Sequence, residues 1–121
     1  MSIQHVLIID DSKTEQMFLT SLMNKHNMSC SVADSADAAM AQLEQKKPDL
    51  ILLDVVMPGK SGFQFARQIS KNPEFADIPI ILCSSKSQEA DVIWGMRQGA
   101  RAYVTKPINP TELLEKIRSL G

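Results

Sequence analysis

Cysteine, histidine and charge of one sign are all scarce in this 121-residue chain. Its two cysteines, Cys30 and Cys83, lie far apart in apolar stretches, and neither belongs to a CxxC pair. That excludes a thiolate metal site and a redox couple, and predicts buried, reduced thiols. The two histidines, His5 and His26, lack metal-ligand spacing, so zinc is not expected and both read as surface or core-edge residues. The formal net charge is −1. Broad electrostatic binding to nucleic acid needs clustered Lys and Arg, and is excluded on that ground. No apolar run is long enough to span a bilayer. Met1-Ser2-Ile3-Gln4-His5 carries neither the basic nor the apolar region of a secretory signal. No linker, repeat or low-complexity segment divides the chain. Residues 1–121 therefore read as one cytoplasmic domain without membrane insertion, long enough to bury a real core, with ordinary hydrophobic (44%) and charged (22%) fractions.

Five short apolar runs alternate with amphipathic segments. Val6–Ile9 reads as the first strand and ends in Asp10-Asp11. Ser12-Lys13-Thr14-Glu15 has the S-x-x-E spacing of a capping box, and opens a helix whose apolar face is Phe18, Leu19, Leu22 and Met23. Met28–Ala33 is a second strand. Asp34-Ser35 then starts a helix carrying Ala36, Ala39, Met40 and Leu43, which Lys46-Lys47-Pro48 stops. Leu50-Ile51-Leu52-Leu53 is apolar throughout, ends abruptly in Asp54, and is followed by Val55-Val56-Met57-Pro58-Gly59. Such a run suits a strand buried on both faces. After the loop Gly59–Gly62 a third helix presents Phe63, Ala66 and Ile69 and ends near Asn72-Pro73. Ile78–Cys83 is the fourth strand, with a polar turn from Ser84. The fourth helix carries Ala90, Val92, Ile93, Trp94 and Met96 and closes at Gly99. Arg101–Thr105 is the fifth strand. Asn109-Pro110-Thr111-Glu112 starts the last helix, whose core face is Leu113, Leu114, Ile117 and Leu120. This alternation predicts parallel strands joined by right-handed crossovers in a three-layer α/β sandwich.

In a parallel sheet, every strand end points to the same edge, and in open sheets ligands bind there. Asp10-Asp11, Asp54, Ser84 and Thr105-Lys106-Pro107 all fall at strand ends. The pattern therefore predicts three carboxylates, a hydroxyl and an ammonium gathered at one place. Three carboxylates repel unless a cation sits among them. A small set of hard oxygen ligands suits Mg²⁺. With Lys106 and the Ser84 hydroxyl beside it, the site could bind a phosphoryl group, and a carboxylate is a competent phosphoryl acceptor. The chemistry points to a phosphorylatable Asp54. Taken alone, any one of these acids would read as a helix cap or a turn former.

The motifs Asp10-Asp11, Leu53-Asp54 with Met57-Pro58-Gly59 and Gly62, Ser84, and Tyr103 with Lys106-Pro107 together resemble the CheY-like response-regulator receiver family, from end to end of the chain. Asp10–Glu15 and Val92–Arg101 more narrowly resemble the PilH-type regulators of twitching motility. The resemblance implies a flavodoxin-like sheet of order 2-1-3-4-5 flanked by five helices. It implies a sensor histidine kinase as phosphodonor to Asp54. Mg²⁺ would be held by Asp11, Asp54 and the Val56 carbonyl, with Asp10 acting through water. Lys106 would pair with the phosphoryl group and with Asp54, and the Lys106-Pro107 peptide would be cis. A switch follows from the same resemblance: Ser84 moves toward the phosphoryl group, Tyr103 turns inward, and the face of helix four, strand five and helix five changes for a partner. Val92, Trp94, Met96 and Tyr103 are the expected partner surface. Ser84 stands where threonine is commoner, which keeps the hydroxyl. Val56 and Lys86 occupy positions that help set acyl-phosphate lifetime, and Val56 cannot hydrogen-bond a hydrolytic water.

The expectation is a stand-alone, monomeric response regulator, not an enzyme, acting through protein contacts in chemotaxis-like or twitching motility. An alternative is a phosphate sink for a sister regulator. An aspartyl-phosphate hydrolase of the haloacid-dehalogenase type would need a second acid two residues after the nucleophile, where Val56 stands. A flavodoxin-like FMN carrier would need a phosphate loop where Asp10-Asp11 stands, and a phosphorylation-dead variant is opposed by the complete acid set.

Overall fold

The computed structural model describes residues 3–120. Five strands, β1 (His5–Ile9), β2 (Ser29–Ala33), β3 (Leu50–Asp54), β4 (Ile80–Ser84) and β5 (Ala102–Thr105), alternate with five helices. The helices are α1 (Lys13–Lys25), α2 (Ala36–Gln45), α3 (Gly62–Lys71), α4 (Glu89–Arg97) and α5 (Pro110–Leu120). All strands pair in parallel, in the order β2-β1-β3-β4-β5.

Strand alternation sorts the core into two layers. Leu7, Ile9, Ile51, Leu53, Ile80 and Leu82 face one way, packing on Ala39 and Leu43 of α2 and on Phe65 and Ile69 of α3. Val6, Ile8, Leu50, Leu52, Ile81 and Val104 face the other, against Leu19 and Met23 of α1 and Leu113 and Ile117 of α5. β3 is buried along its whole length. Its unbroken apolar run is thus explained by helices on both faces.

Several local expectations are corrected. The second strand begins at Ser29, one residue late, because the Met28 amide still donates to Met23 O at the end of α1 (3.0 Å). The fourth begins at Ile80 and includes Ser84, which pairs with Thr105. Pro79 has no N–H to give the ladder, although its carbonyl accepts from Ile51 N. The fifth strand begins at Ala102, and Gly62 opens α3 instead of belonging to the loop. Phe18 is exposed, and α1 buries Gln16 alongside Leu19 and Met23. Phe65, not Phe63, is the buried aromatic of α3. Cys83 is buried as expected, whereas Cys30, on the edge strand β2, is half-buried. In α4, Ala90, Ile93, Trp94 and Met96 are exposed, and Gly95 is the one buried residue.

Caps set the helix starts. The Ser35 and Asn109 side chains accept the Ala38 and Glu112 amides, and Ser61 and Gln64 form a reciprocal capping box on α3. At α1 only half of the predicted box exists. Ser12 Oγ accepts from Glu15 N, but the Ser12 amide donates to Asp10 Oδ1 (2.9 Å) and not to Glu15. Gly99, after α4, has φ +103°, a left-handed conformation that glycine adopts without strain.

Candidate functional site

The site is built by the register of the sheet. β3 lies between β1 and β4, so its last residue, Asp54, lies beside the end of β1 and opposite Cys83 of β4. Asp10 follows β1 directly, and its amide still donates to Ala33 O of the β2 edge (3.0 Å). Lys106 follows β5, and its amide donates to Ser84 O (2.8 Å). Oxygen atoms of Asp10, Asp11 and Asp54 all lie within 4.8 Å of one another. Asp10 and Asp54 are buried, while Asp11 is exposed.

Lys106 Nζ reaches into this group. It stands 3.0 Å from Asp10 Oδ2 and 3.5 Å from Asp54 Oδ1. The other Asp10 oxygen takes the Ser12 amide, and the Asp10 carbonyl accepts from Gln16 Nε2. Asp10 is therefore held by the first turn of α1, and it in turn holds the lysine.

Charge balance shapes the titration. Burial and the neighbouring Asp10 charge push the Asp54 carboxyl above its ordinary range, and Lys106 offsets only part of that. Burial works against the charge on Lys106, but its hydrogen bond to Asp10 and the Asp54 and Asp10 charges outweigh it, so the ammonium is held above its usual value. These directions agree, because the lysine sits nearer Asp10 than Asp54. Burial also pushes the Cys83 thiol behind the site up to about 12, which keeps it protonated and inert.

Three acids share one ammonium, so a second cation is needed to neutralise them. The donors are hard carboxylate oxygens without a nitrogen or thiolate among them, which fits Mg²⁺ and not zinc. Val56 is exposed, two residues past Asp54. The Lys106-Pro107 peptide is cis.

The residues assigned to a switch lie next to this cluster. Ser84 is fully buried, and its Oγ accepts from the Lys86 amide (3.1 Å). Tyr103 Oη donates to the Lys86 carbonyl (2.6 Å). One exposed residue, Lys86, thus ties both through its backbone. Tyr103 is buried, and burial raises its phenol pKa. It therefore does not belong to the exposed partner surface, and Val92, half-buried on the core, contributes little to it. Trp94 and Met96 are exposed, at 49% and 41%.

Sequence reasoning missed two kinds of residue. Gln16 reads as an ordinary helix polar residue, and nothing in its spacing reveals that it anchors the Asp10 carbonyl. The packing role of the two glycines is also hidden. A Cβ on Gly62 would overlap the Asp54 carbonyl oxygen, and one on Gly95 would lie 2.6 Å from Leu82 Cδ1 and 3.1 Å from Tyr103 Cδ2. A glycine inside a helix, where it costs about 1 kcal/mol relative to alanine, was the available signal for Gly95.

Comparison with known proteins agrees with this geometry. The response regulator receiver domain family matches residues 6–118. Protein PilH of Pseudomonas aeruginosa is 44% identical over 115 residues, covering 95% of this chain and 95% of PilH. The phosphate regulon transcriptional regulatory protein PhoB of the same species is 35% identical over 95% of this chain, which spans 50% of PhoB's length. Among solved structures, a putative response regulator from Chloroflexus aurantiacus superposes with TM-score 0.93 at 25% identity, covering 98% of each chain. The chemotaxis protein CheY4 of Vibrio cholerae superposes with TM-score 0.91 at 23% identity, over 99% of this chain and 100% of that one, a likeness of fold. With its acids, lysine and register on the receiver pattern, the chain belongs to the response-regulator receiver domain family.

Proposed function

We propose that this chain is a phospho-acceptor of a two-component relay, in which a sensor histidine kinase donates a phosphoryl group to Asp54. The observation that carries the reading is a buried carboxylate wedged beside Asp10, with Lys106 Nζ 3.5 Å away. An Asp54 oxygen attacks the phosphorus of the donor phosphohistidine. The P–N bond breaks, the imidazole leaves, and Asp54 becomes an acyl phosphate. Lys106 pairs with the transferred phosphoryl oxygens, and Asp10, fixed by Ser12 N and Gln16, keeps the ammonium nearby. Asp11, Asp54 and the Val56 carbonyl would hold Mg²⁺, with Asp10 acting through water. When bound, the ion supplies positive charge to the transferring phosphoryl oxygens.

Ser84, Tyr103 and Lys86 form the proposed switch. Phosphorylation adds about −1.5 to −2 charge. Ser84 Oγ turns toward it and gives up its acceptor role to Lys86 N, which frees the segment that Tyr103 also grips. The α4–β5–α5 face, with Trp94 and Met96, then changes for a downstream partner. Similarity to PilH supports a twitching-type motility pathway. We read the chain as a cytoplasmic, monomeric acceptor that catalyses only its own phosphoryl transfer and dephosphorylation, not as an enzyme. No helix among the described residues is long and apolar enough to cross a membrane.

Acetyl phosphate or phosphoramidate, with and without Mg²⁺, followed by intact-mass measurement, tests the reading. A Mg²⁺-dependent mass gain that disappears in Asp54→Asn is expected. A gain that survives Asp54→Asn, or none at all, rejects it.

A further inference from the structure

Three cations meet at the sheet edge opposite Asp54. Each helix runs back from the Asp54 edge, so α3 and α4 both end beside the starts of the strands. The amide of Arg101, just past α4, donates to Ile80 O at the start of β4 (2.8 Å). Ser70 and Gly99 pin the two helix ends together. Ser70 Oγ donates to the Gln98 carbonyl (3.1 Å), and a Cβ on Gly99 would overlap Ser70 Oγ. Beside this junction lies a cavity of about 280 Å³, lined by Arg67, Ser70, Lys71, Arg97, Gln98 and Gly99. Among the described residues no aliphatic or aromatic side chain lines it. Gln98 is only 6% exposed, and its amide has a second N–H besides the one donated to Trp94 O.

Helix ends explain part of this charge. A cation in the last turn complements the carbonyl end of a helix, which carries about half a negative charge. Lys71 and Arg97 fit that role. Arg67 does not, because it lies a full turn before the last residue of α3, and it repels Lys71 at i+4. Two helix ends supply about one negative charge in all, against three full positive charges. Acids do not supply the rest. The ion pairs among the described residues are those of Lys106 with Asp10 and Asp54, so none of the three cations has a carboxylate within 4.0 Å. About two positive charges are left over. The volume is near the lower end for small-ligand sites, about 300 Å³, and the polar lining gives an apolar ring nothing to pack on. Two guanidinium forks and an ammonium suit phosphate oxygens. We infer that this cavity binds a small multivalent phosphate anion, which bridges α3 and α4. The site is separate from Asp54 and does not depend on its phosphorylation.

Inorganic pyrophosphate is the probe, added to the full chain in EDTA so that no Mg²⁺ sequesters it. Calorimetry should give a saturable isotherm. The amide resonances of Ser70, Gln98 and Gly99 should move with the same dissociation constant. Arg67→Gln and Arg97→Gln should each weaken binding by about tenfold, the scale of one lost charge-assisted hydrogen bond. Lys25→Gln removes the last-turn cation of α1 and should leave the affinity unchanged. Pyrophosphate should raise the melting temperature of wild type more than that of Arg67→Gln, because a ligand stabilises the state it binds. Acetate at equal ionic strength should move none of the three resonances.

Shifts that acetate reproduces overturn the inference, since they report screening by salt. Equal weakening in Lys25→Gln overturns it as well, because binding then follows net charge. So does a titration that fails to saturate, or one whose shifts fall at Asp54 and Lys106. Unchanged affinity in both arginine variants returns the cations to helix-end roles and overturns it too.

Discussion

Asp54 is strained by its own charge in the metal-free protein. Burial and Asp10 raise its carboxyl pKa, and Lys106 compensates in part. The unfolded chain ionises Asp54 more readily than the folded one does. This contribution to stability is therefore fully present below the unfolded pKa, and it is lost as pH rises through the raised folded value. At neutral pH in EDTA, removing the charge should help: Asp54→Asn is expected to melt about 2–5 °C higher than wild type. Lowering the pH should narrow the gap, because the raised pKa lets wild-type Asp54 take up its proton sooner than an ordinary carboxylate does. Mg²⁺ should stabilise wild type and have little effect on the variant, because a ligand stabilises only through the state it binds. Thermal melts with and without the ion check all three, and a variant less stable than wild type in EDTA would show that the Lys106 contact outweighs desolvation. A second prediction concerns the lifetime of the proposed acyl phosphate. Val56 is exposed beside Asp54 and offers a hydrolytic water no hydrogen bond. Val56→Asn should shorten the acyl-phosphate half-life by about 2–10-fold, the lower end of what a positioned polar group contributes to such a step. Equal decay of the two phosphorylated proteins, followed by intact mass, would remove Val56 from the account.

At the scale of elements, two glycines set how closely helices approach the site, and they differ in what they touch. A Cβ on Gly62 meets Asp54 and Val55 backbone, which cannot move without moving the acceptor. A Cβ on Gly95 meets side-chain atoms of Leu82, Tyr103 and Phe63 and no backbone. Gly95→Ala gains about 1 kcal/mol in helix propensity but overpacks a site where Leu82 is fully buried, at a cost of about 1–3 kcal/mol. The cost should win narrowly, lowering the urea midpoint slightly while phosphorylation by small donors persists. Gly62→Ala should lose more stability and also lose Mg²⁺-dependent phosphorylation. Similar behaviour of the two variants would mean that α3 can shift as freely as α4.

The same helices show what the sequence made legible. β3 is readable because its apolar run is too short for a helix and is bounded by Pro48 and Pro58-Gly59, and Asp54 is readable because that run stops at it. The gathering of Asp10, Asp11, Asp54 and Lys106 followed from parallel alternation alone, since every strand end shares one edge. The packing face of α4 is hard to read from sequence, because its one buried residue is a glycine with no side chain to show periodicity. In α1 the apolar Phe18 faces solvent and the polar Gln16 faces Asp10. Hydrophobic pattern reports average burial, and near a polar site the helix buries what the site needs.

Across the whole molecule, the question is how an event at Asp54 reaches a partner. The route available is short: Ser84 Oγ to Lys86 N, Lys86 O to Tyr103 Oη, and the Tyr103 ring against Gly95 on α4. In the proposed switch each step is a contact exchanged for another, which calls for two discrete arrangements and not a continuous deformation. Trp94 is the single tryptophan of the chain, next to Gly95 and half exposed. It is therefore a built-in reporter on α4. Beryllofluoride with Mg²⁺, a mimic of the aspartyl phosphate, should change Trp94 emission in wild type. The change should be absent in Asp54→Asn and much reduced in Ser84→Ala, which keeps the acceptor but removes the first exchangeable hydroxyl. Lys86 contributes backbone atoms only, so Lys86→Ala should retain the change, and this separates a backbone relay from a side-chain one. A coupling of about 1–3 kcal/mol corresponds to roughly a 5–150-fold shift in the α4 equilibrium. By reciprocity a partner that prefers the shifted face must tighten beryllofluoride binding by the same factor. An emission change of full size in Ser84→Ala would mean that α4 responds to charge at Asp54 directly, without the hydroxyl and tyrosine exchange.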